Sequence, residues 1–212
     1  ALGLNLNIKR FINIFKYPKN FIVGFICQTI ILPFIALIII KLQPMEKEFQ
    51  IGIILLLVMP SAAMSNYATR IANGNVPLSI TLTSLCALIS FITVPLYLNI
   101  FTKFFNYSDF SLNLFSFALK NFLFITLPVL FGIFCREKFP KFFIKHTFTL
   151  DRAAFVIFLT IVFIAIYTEK DNLVSYFYDV GVTMSLILVL VFASSFLITQ
   201  LFIKDLASKR AV

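Results

Sequence analysis

The sequence predicts an all-α polytopic membrane protein, on three observations. Of its 212 residues, 60% are hydrophobic and only 13% are charged, with a mean hydropathy of +0.99, whereas a soluble domain of this size carries about 25% charge. Several apolar runs reach the roughly 20 residues that a helix needs to cross a bilayer. Between them, residues 60–83 (PSAAMSNYATRIANGNVPLSITLT) interrupt the apolar pattern with a Ser-Asn pair, a turn and a Ser/Thr pair. Polar side chains at membrane depth are costly and mark substrate or ion paths by default.

The expected spans are 19–41, 48–73 (interrupted), 76–104, 113–135, 150–168 and 174–203. The net charge of +9 then sorts by side: thirteen of the 18 basic residues fall in loops on one side, among them Lys9, Arg10, Arg70, Arg136, Arg152 and Arg210. Basic loops stay cytoplasmic, so both ends of this segment are expected there. The same asymmetry explains the positive charge without nucleic acid. The expected location is a bacterial inner (plasma) membrane, with the lipid bilayer as a partner.

Each span carries its own signals. Pro33 removes a backbone donor from the first, and Gln28, five residues earlier, faces protein rather than lipid, as an interhelical bond or a ligand. The second is apolar until Met59 and breaks at Pro60. Broken helices persist at membrane depth only inside protein or beside a cavity, and such half-helices build transporter sites. The turn is expected at Gly74-Asn75. Asn75 is an N-cap candidate for the third span, and Pro77 sits in its first turn, where proline is tolerated; Pro95 lies nearer its far end. Residues 105–116 read as interfacial and 136–152 as a basic loop holding His146, and span 150–168 as apolar scaffold. Span 174–203 carries Gly181 and the small run 193–195, which permit close packing.

Chain length brings the polar groups together. Asn66 lies eight residues before Gly74, and Thr83 eight after Asn75. At 1.5 Å per residue both stand about 12 Å from the turn, near the middle of a hydrocarbon core about 30 Å thick. Ser79 is four residues before Thr83, on the same helix face. Ser65, Asn66, Ser79 and Thr83 therefore form a candidate oxygen site for a hard cation such as sodium. The competing reading is hydroxyls bonded back to their own i−4 carbonyls.

Other chemistries find little support. Cys27, Cys86 and Cys135 sit in or beside apolar runs without paired spacing and read as small buried hydrophobes. A single histidine makes no transition-metal site. With no HExxH and no paired intramembrane carboxylates, an embedded enzyme lacks its titratable groups; the chain is expected not to be an enzyme and to need no cofactor beyond Na+ as coupling ion.

The residues of 60–83 resemble the bile acid:sodium symporter family. Pro60, Ser65-Asn66, the turn at 74–75, Ser79 and Thr83 follow its pattern Pro-Gly-Gly-x-x-Ser-Asn, Leu-Ala-x-Gly-Asp/Asn, Leu-Ser-x-x-x-Thr, and the likeness extends over essentially the whole chain. The resemblance implies a fold of two inverted repeats whose broken helices cross, with six of about ten spans present here. It implies a sodium-coupled symporter of an organic anion, bile acid-like or a small carboxylate, working by alternating access. The alternatives are a sodium/proton exchanger on the same fold and a non-transporting remnant. It implies that Ser65, Asn66, Ser79 and Thr83 match one sodium site, that Gln28 contributes to a second, and that Pro60, Ser61 and Ala62 border the substrate. By the same resemblance, 1–18 is the end of a preceding helix with a basic loop, 19–104 the first half of a core with its broken helix at 48–73, 105–170 panel helices, and 171–212 the second core half. Two helices before this segment are expected, and after Val212 a second broken helix with a Glu and a Gln-Asn pair. Ser61-Ala62 stand where the family has Gly-Gly, and Cys86-Ala87 where it has Ser-Thr.

Overall fold

A computed structural model describes residues 18–43, 45–61, 63–107 and 113–212. Among these residues the chain is helical throughout, without strands. The helices are α1 (Pro18–Leu42), α2 (Lys47–Val58), α3 (Ala63–Ile71), α4 (Val76–Phe104), α5 (Leu114–Lys138), α6 (Pro140–Thr168), α7 (Leu173–Phe202) and the single turn α8 (Leu206–Lys209). Four of them, α1, α4, α5 and α7, are long and apolar enough to cross a membrane. The interrupted span is the pair α2 and α3.

The break follows from proline. Met59 precedes Pro60 and is extended, with φ −65° and ψ 144°, the conformation that a following proline ring imposes. The chain re-enters helix at Ala63. At the other end of α3, Asn73 is the left-handed residue, with φ 53°. The expected turn at Gly74-Asn75 thus begins one residue early. Gly74 is needed for space instead: a Cβ there would lie 2.8 Å from Thr69 Cγ2 and 3.1 Å from Arg210 Cβ. Asn75 caps α4 as expected, its Oδ1 accepting from Leu78 N at 3.2 Å.

Both α1 and α5 contain one turn of π-helix, Cys27–Ile31 and Phe122–Thr126, each followed directly by Leu-Pro. Proline has no N–H, and its ring crowds the carbonyl four residues back; a widened turn relieves that crowding. For Pro33 the carbonyl is that of Thr29, and the Tyr97 hydroxyl of α4 donates to it.

The core is apolar and contiguous. Ile35, Ala36, Ile39 and Ile40 of α1 meet Ile53, Ile54 and Leu57 of α2, Val94, Leu98 and Phe101 of α4, and Ile187 of α7. Polar pins cross between helices: Asn121 Nδ2 donates to Ser90 O at 2.8 Å and Thr126 Oγ1 to Ala87 O at 3.2 Å, fixing α5 on α4. At the end remote from the turn, Thr183 donates to Gln43 and Tyr107 to Gln50, whose Nε2 donates to Met45 O at 2.7 Å. Burial pushes the Tyr107 phenol above its usual range. In contrast, α5, α6 and α7 leave large apolar side chains such as Phe124, Phe131, Phe163 and Phe177 outward, a surface suited to lipid or to further helices.

Two expectations change. The stretch 136–152 is not a loop: α6 begins at Pro140, which suits a first helical turn, and runs for 29 residues, its apolar part being Arg152–Thr168. His146 is thus a helical residue, bonded to Phe142 O at 2.9 Å and packed on the Phe142 ring. The basic tail after α7, read as a loop, is instead docked. Ile203 and Ser208 are buried, Asn75 N donates to Ala207 O at 2.7 Å, and Arg210 donates to Ala72 O at 2.9 Å. Asp205 caps α8 through Ser208 N, and these bonds hold its carboxyl below the usual range. The end of a preceding helix expected before residue 18 lies outside the described residues.

Candidate functional site: a buried oxygen cluster beside a cavity

The hairpin of α3 and α4 brings the polar groups into one cluster, as the length arithmetic requires. Ser79 Oγ donates to Asn66 Oδ1 at 2.8 Å, and Asn66 Nδ2 reaches Thr83 Oγ1 at 3.4 Å. Asn66, Ser79 and Thr83 are all buried. The competing reading is also partly realised, since Thr83 Oγ1 shares its proton between Ser79 O and Ile80 O, both at 3.0 Å. That donation leaves the lone pairs of Thr83 Oγ1 facing Asn66. Three neutral oxygens, Asn66 Oδ1, Ser79 Oγ and Thr83 Oγ1, therefore lie in one hydrogen-bonded cluster with acceptor capacity left over, the kind of ligand a hard monovalent cation takes.

Thr69 is a fourth member that the sequence reading missed. Its hydroxyl lies 2.8 Å from Ser65 O and 3.2 Å from Ser79 Oγ, and the residue is buried. Its position one turn after Ser65-Asn66 was the available signal, masked by its neighbour Arg70.

A cavity of about 1120 Å³ borders this cluster, lined by Ser65, Thr69 and Ser79 on one side and by Gln28, Pro60 and Ser61 on others. Asn66 and Thr83 stand behind that wall. Ser61 Oγ is buried with no hydrogen-bond partner among the described residues; Ala62 lies outside them. Gln28 does not join the Asn66 cluster. Its carbonyl accepts from the Cys86 thiol at 3.0 Å, so Cys86 is buried as expected but also makes a polar contact. The α7 wall supplies Phe192, Ser195, Thr199 and Gln200, and the docked tail supplies Lys209 and Arg210. Among the described lining residues no side chain is acidic, and no group of three or more His, Cys, Asp or Glu side chains gathers.

The broken helix, the interlocked oxygen cluster and the mixed polar–apolar cavity beside it are set in an all-helical polytopic membrane protein. Comparison with known proteins gives the family. The chain belongs to the Sodium Bile acid symporter family, which residues 1–176 match. It is 29% identical over 142 residues to a probable chloroplastic sodium/metabolite cotransporter, BASS2, of Oryza sativa subsp. japonica, covering 67% of this chain and 33% of that protein. It is 30% identical over 103 residues to the sodium-dependent transporter YocS of Bacillus subtilis, covering 49% of this chain and 32% of YocS. With the human ileal sodium/bile acid cotransporter it shares 26% identity over 144 residues, 66% of this chain and 40% of the relative. The chain thus spans between about a third and two fifths of the length of these relatives.

Proposed function

We propose that this chain is the part of a sodium-coupled secondary transporter that holds a coupling cation beside the substrate cavity, and that the whole protein moves an organic anion by alternating access. The observation that carries this reading is the hydrogen-bonded cluster of Asn66, Ser79 and Thr83 inside the hairpin, next to the cavity. Membership of a family of sodium symporters supports it. In this reading Ser65, Asn66, Ser79 and Thr83 bind one sodium ion and Gln28 contributes to a second. Pro60 and Ser61 border the substrate at the break, where the helix leaves backbone groups unpaired by its own bonds. Apolar and polar walls together suit an amphipathic anion, bile acid-like or a small carboxylate, and Lys209 and Arg210 supply positive charge on its path. The location we infer is a bacterial inner membrane with the hairpin turn cytoplasmic.

The test is uptake by the full-length protein in proteoliposomes under an inward sodium gradient, with choline replacing sodium in the control, for a panel of radiolabelled anions that includes a bile acid and pyruvate. Sodium-dependent uptake lost in Asn66→Ala and in Thr83→Ala is the expected result. Uptake indifferent to both substitutions overturns the assignment of these ligands.

A further inference from the structure

Gln28 stands on the widened turn of α1, and α4 grips that turn twice. Tyr97 holds the Thr29 carbonyl, and the Cys86 thiol donates to Gln28 Oε1 at 3.0 Å. Cys86 is 6% exposed, and both it and Gln28 line the cavity. The thiol contact is the one side-chain hydrogen bond of Gln28 among the described residues. It takes one of the two lone pairs of the amide oxygen. The amide nitrogen, a donor only, has no partner among the described residues and belongs to a side chain on the cavity wall. A cation binds amides through oxygen, so at Gln28 it must share Oε1 with the thiol proton or displace it.

We infer that Cys86 is a positioning residue for cation binding at Gln28: its thiol competes with the cation for Gln28 Oε1 and thereby sets the cation concentration at which that position fills. The inference rests on the reading of Gln28 as a cation ligand. A thiol is a weak donor, so the competition is soft and reversible, as a transport cycle requires. Serine at this position would donate more strongly, and alanine not at all. The residue type at position 86 is therefore a local control on sodium affinity that leaves every proposed ligand in place.

The experiment is a titration with sodium chloride alone, at constant ionic strength with choline, of the detergent-solubilised full-length protein, read as the sodium-induced rise in thermal unfolding temperature. Cys86→Ala is expected to lower the half-saturating sodium concentration by about two- to tenfold, the span a single neutral hydrogen bond is worth. Cys86→Ser is expected to restore it to the unsubstituted value or above, a rescue that a role in packing alone does not predict. The Cys86→Ala effect must vanish in a Gln28→Ala background. A half-saturation that is unchanged or raised in Cys86→Ala, or a shift that persists without Gln28, overturns the inference. Its failure is separable from failure of the parent reading. If Asn66→Ala abolishes the sodium response while Cys86→Ala does nothing, only the competition is wrong. If Asn66→Ala and Gln28→Ala both leave the response intact, the cation assignment falls, and the inference with it.

Discussion

Removing a single oxygen from the centre of the cluster separates its structural role from its proposed cation-binding role. In Ser79→Ala, Asn66 Oδ1 loses the donor that lies 2.8 Å away. Asn66 is 8% exposed, so water offers poor replacement. Thr69 is not orphaned, because its hydroxyl keeps Ser65 O at 2.8 Å. The contact from Asn66 Nδ2 to Thr83 Oγ1 at 3.4 Å uses the amide's donor and does nothing for Oδ1. One buried acceptor is therefore left unsatisfied, a cost of about 1–3 kcal/mol to the sodium-free protein. If Ser79 Oγ also contacts the ion, a charge-assisted interaction worth about 1.5–3 kcal/mol is lost in addition. That corresponds to a rise of about ten- to a hundredfold in half-saturating sodium. The assay is thermal unfolding in detergent with and without sodium, choline keeping ionic strength constant. The two losses are independent readouts: the sodium-free midpoint reports the orphaned acceptor, and the titration reports the ion. A lower midpoint with unchanged sodium half-saturation refutes the cation role of Ser79. An unchanged midpoint refutes the hydrogen-bond reasoning itself.

Three further outcomes are expected. Gly74→Ala places a methyl 2.8 Å from Thr69 Cγ2 and 3.2 Å from the Arg210 backbone, an overpacking that costs about 1–3 kcal/mol; thermal unfolding checks the loss, and faster amide exchange at 206–210 shows whether the tail has lifted. Tyr97→Phe strips the Thr29 carbonyl of the donor that replaces the one Pro33 lacks, costing about 1 kcal/mol on the scale of membrane interhelical bonds, read from detergent denaturation. Asp205 has a folded pKa below its unfolded value, chiefly through its bonds to Ser208. Its contribution is therefore complete above the unfolded carboxylate pKa of about 3.9 and is lost as pH falls through the lower, folded value. Amide exchange at 206–210, corrected for its intrinsic pH dependence, should stay flat down to about pH 4 and quicken below it, whereas Asp205→Asn should show no such transition.

Much of the site was legible because it depends on local rules and on arithmetic. Pro60 forces Met59 out of helix, Asn75 and Pro77 start α4, and equal counts from the turn set Asn66 and Thr83 at one depth; none of these needs knowledge of distant packing. Long-range contacts were less legible. Lysines, two arginines and a histidine spread through 136–152 suggested a loop by their charge, yet Pro140 and the phenylalanines that follow support helix, and charge places a segment near the interface without choosing its backbone. The docked tail was opaque for a similar reason: LASKRAV carries no periodicity, and its order comes from Asn75, Ala72 and Gly74, more than a hundred residues away. Gln28 was recognised as facing protein, but its choice of Cys86 depends on the widened turn that rotates it.

The two π-turns bear on how this chain should be aligned with its relatives. Each holds one residue more than a regular helix of the same rise, so the helical wheel advances by about 100° across it. A wheel drawn straight through 18–42 or 114–138 assigns the wrong sides to everything beyond Ile31 or Thr126. Where a relative has a regular helix, the faithful alignment places a one-residue gap within 27–31 or 122–126; without it, lipid-facing and core-facing positions are compared with each other.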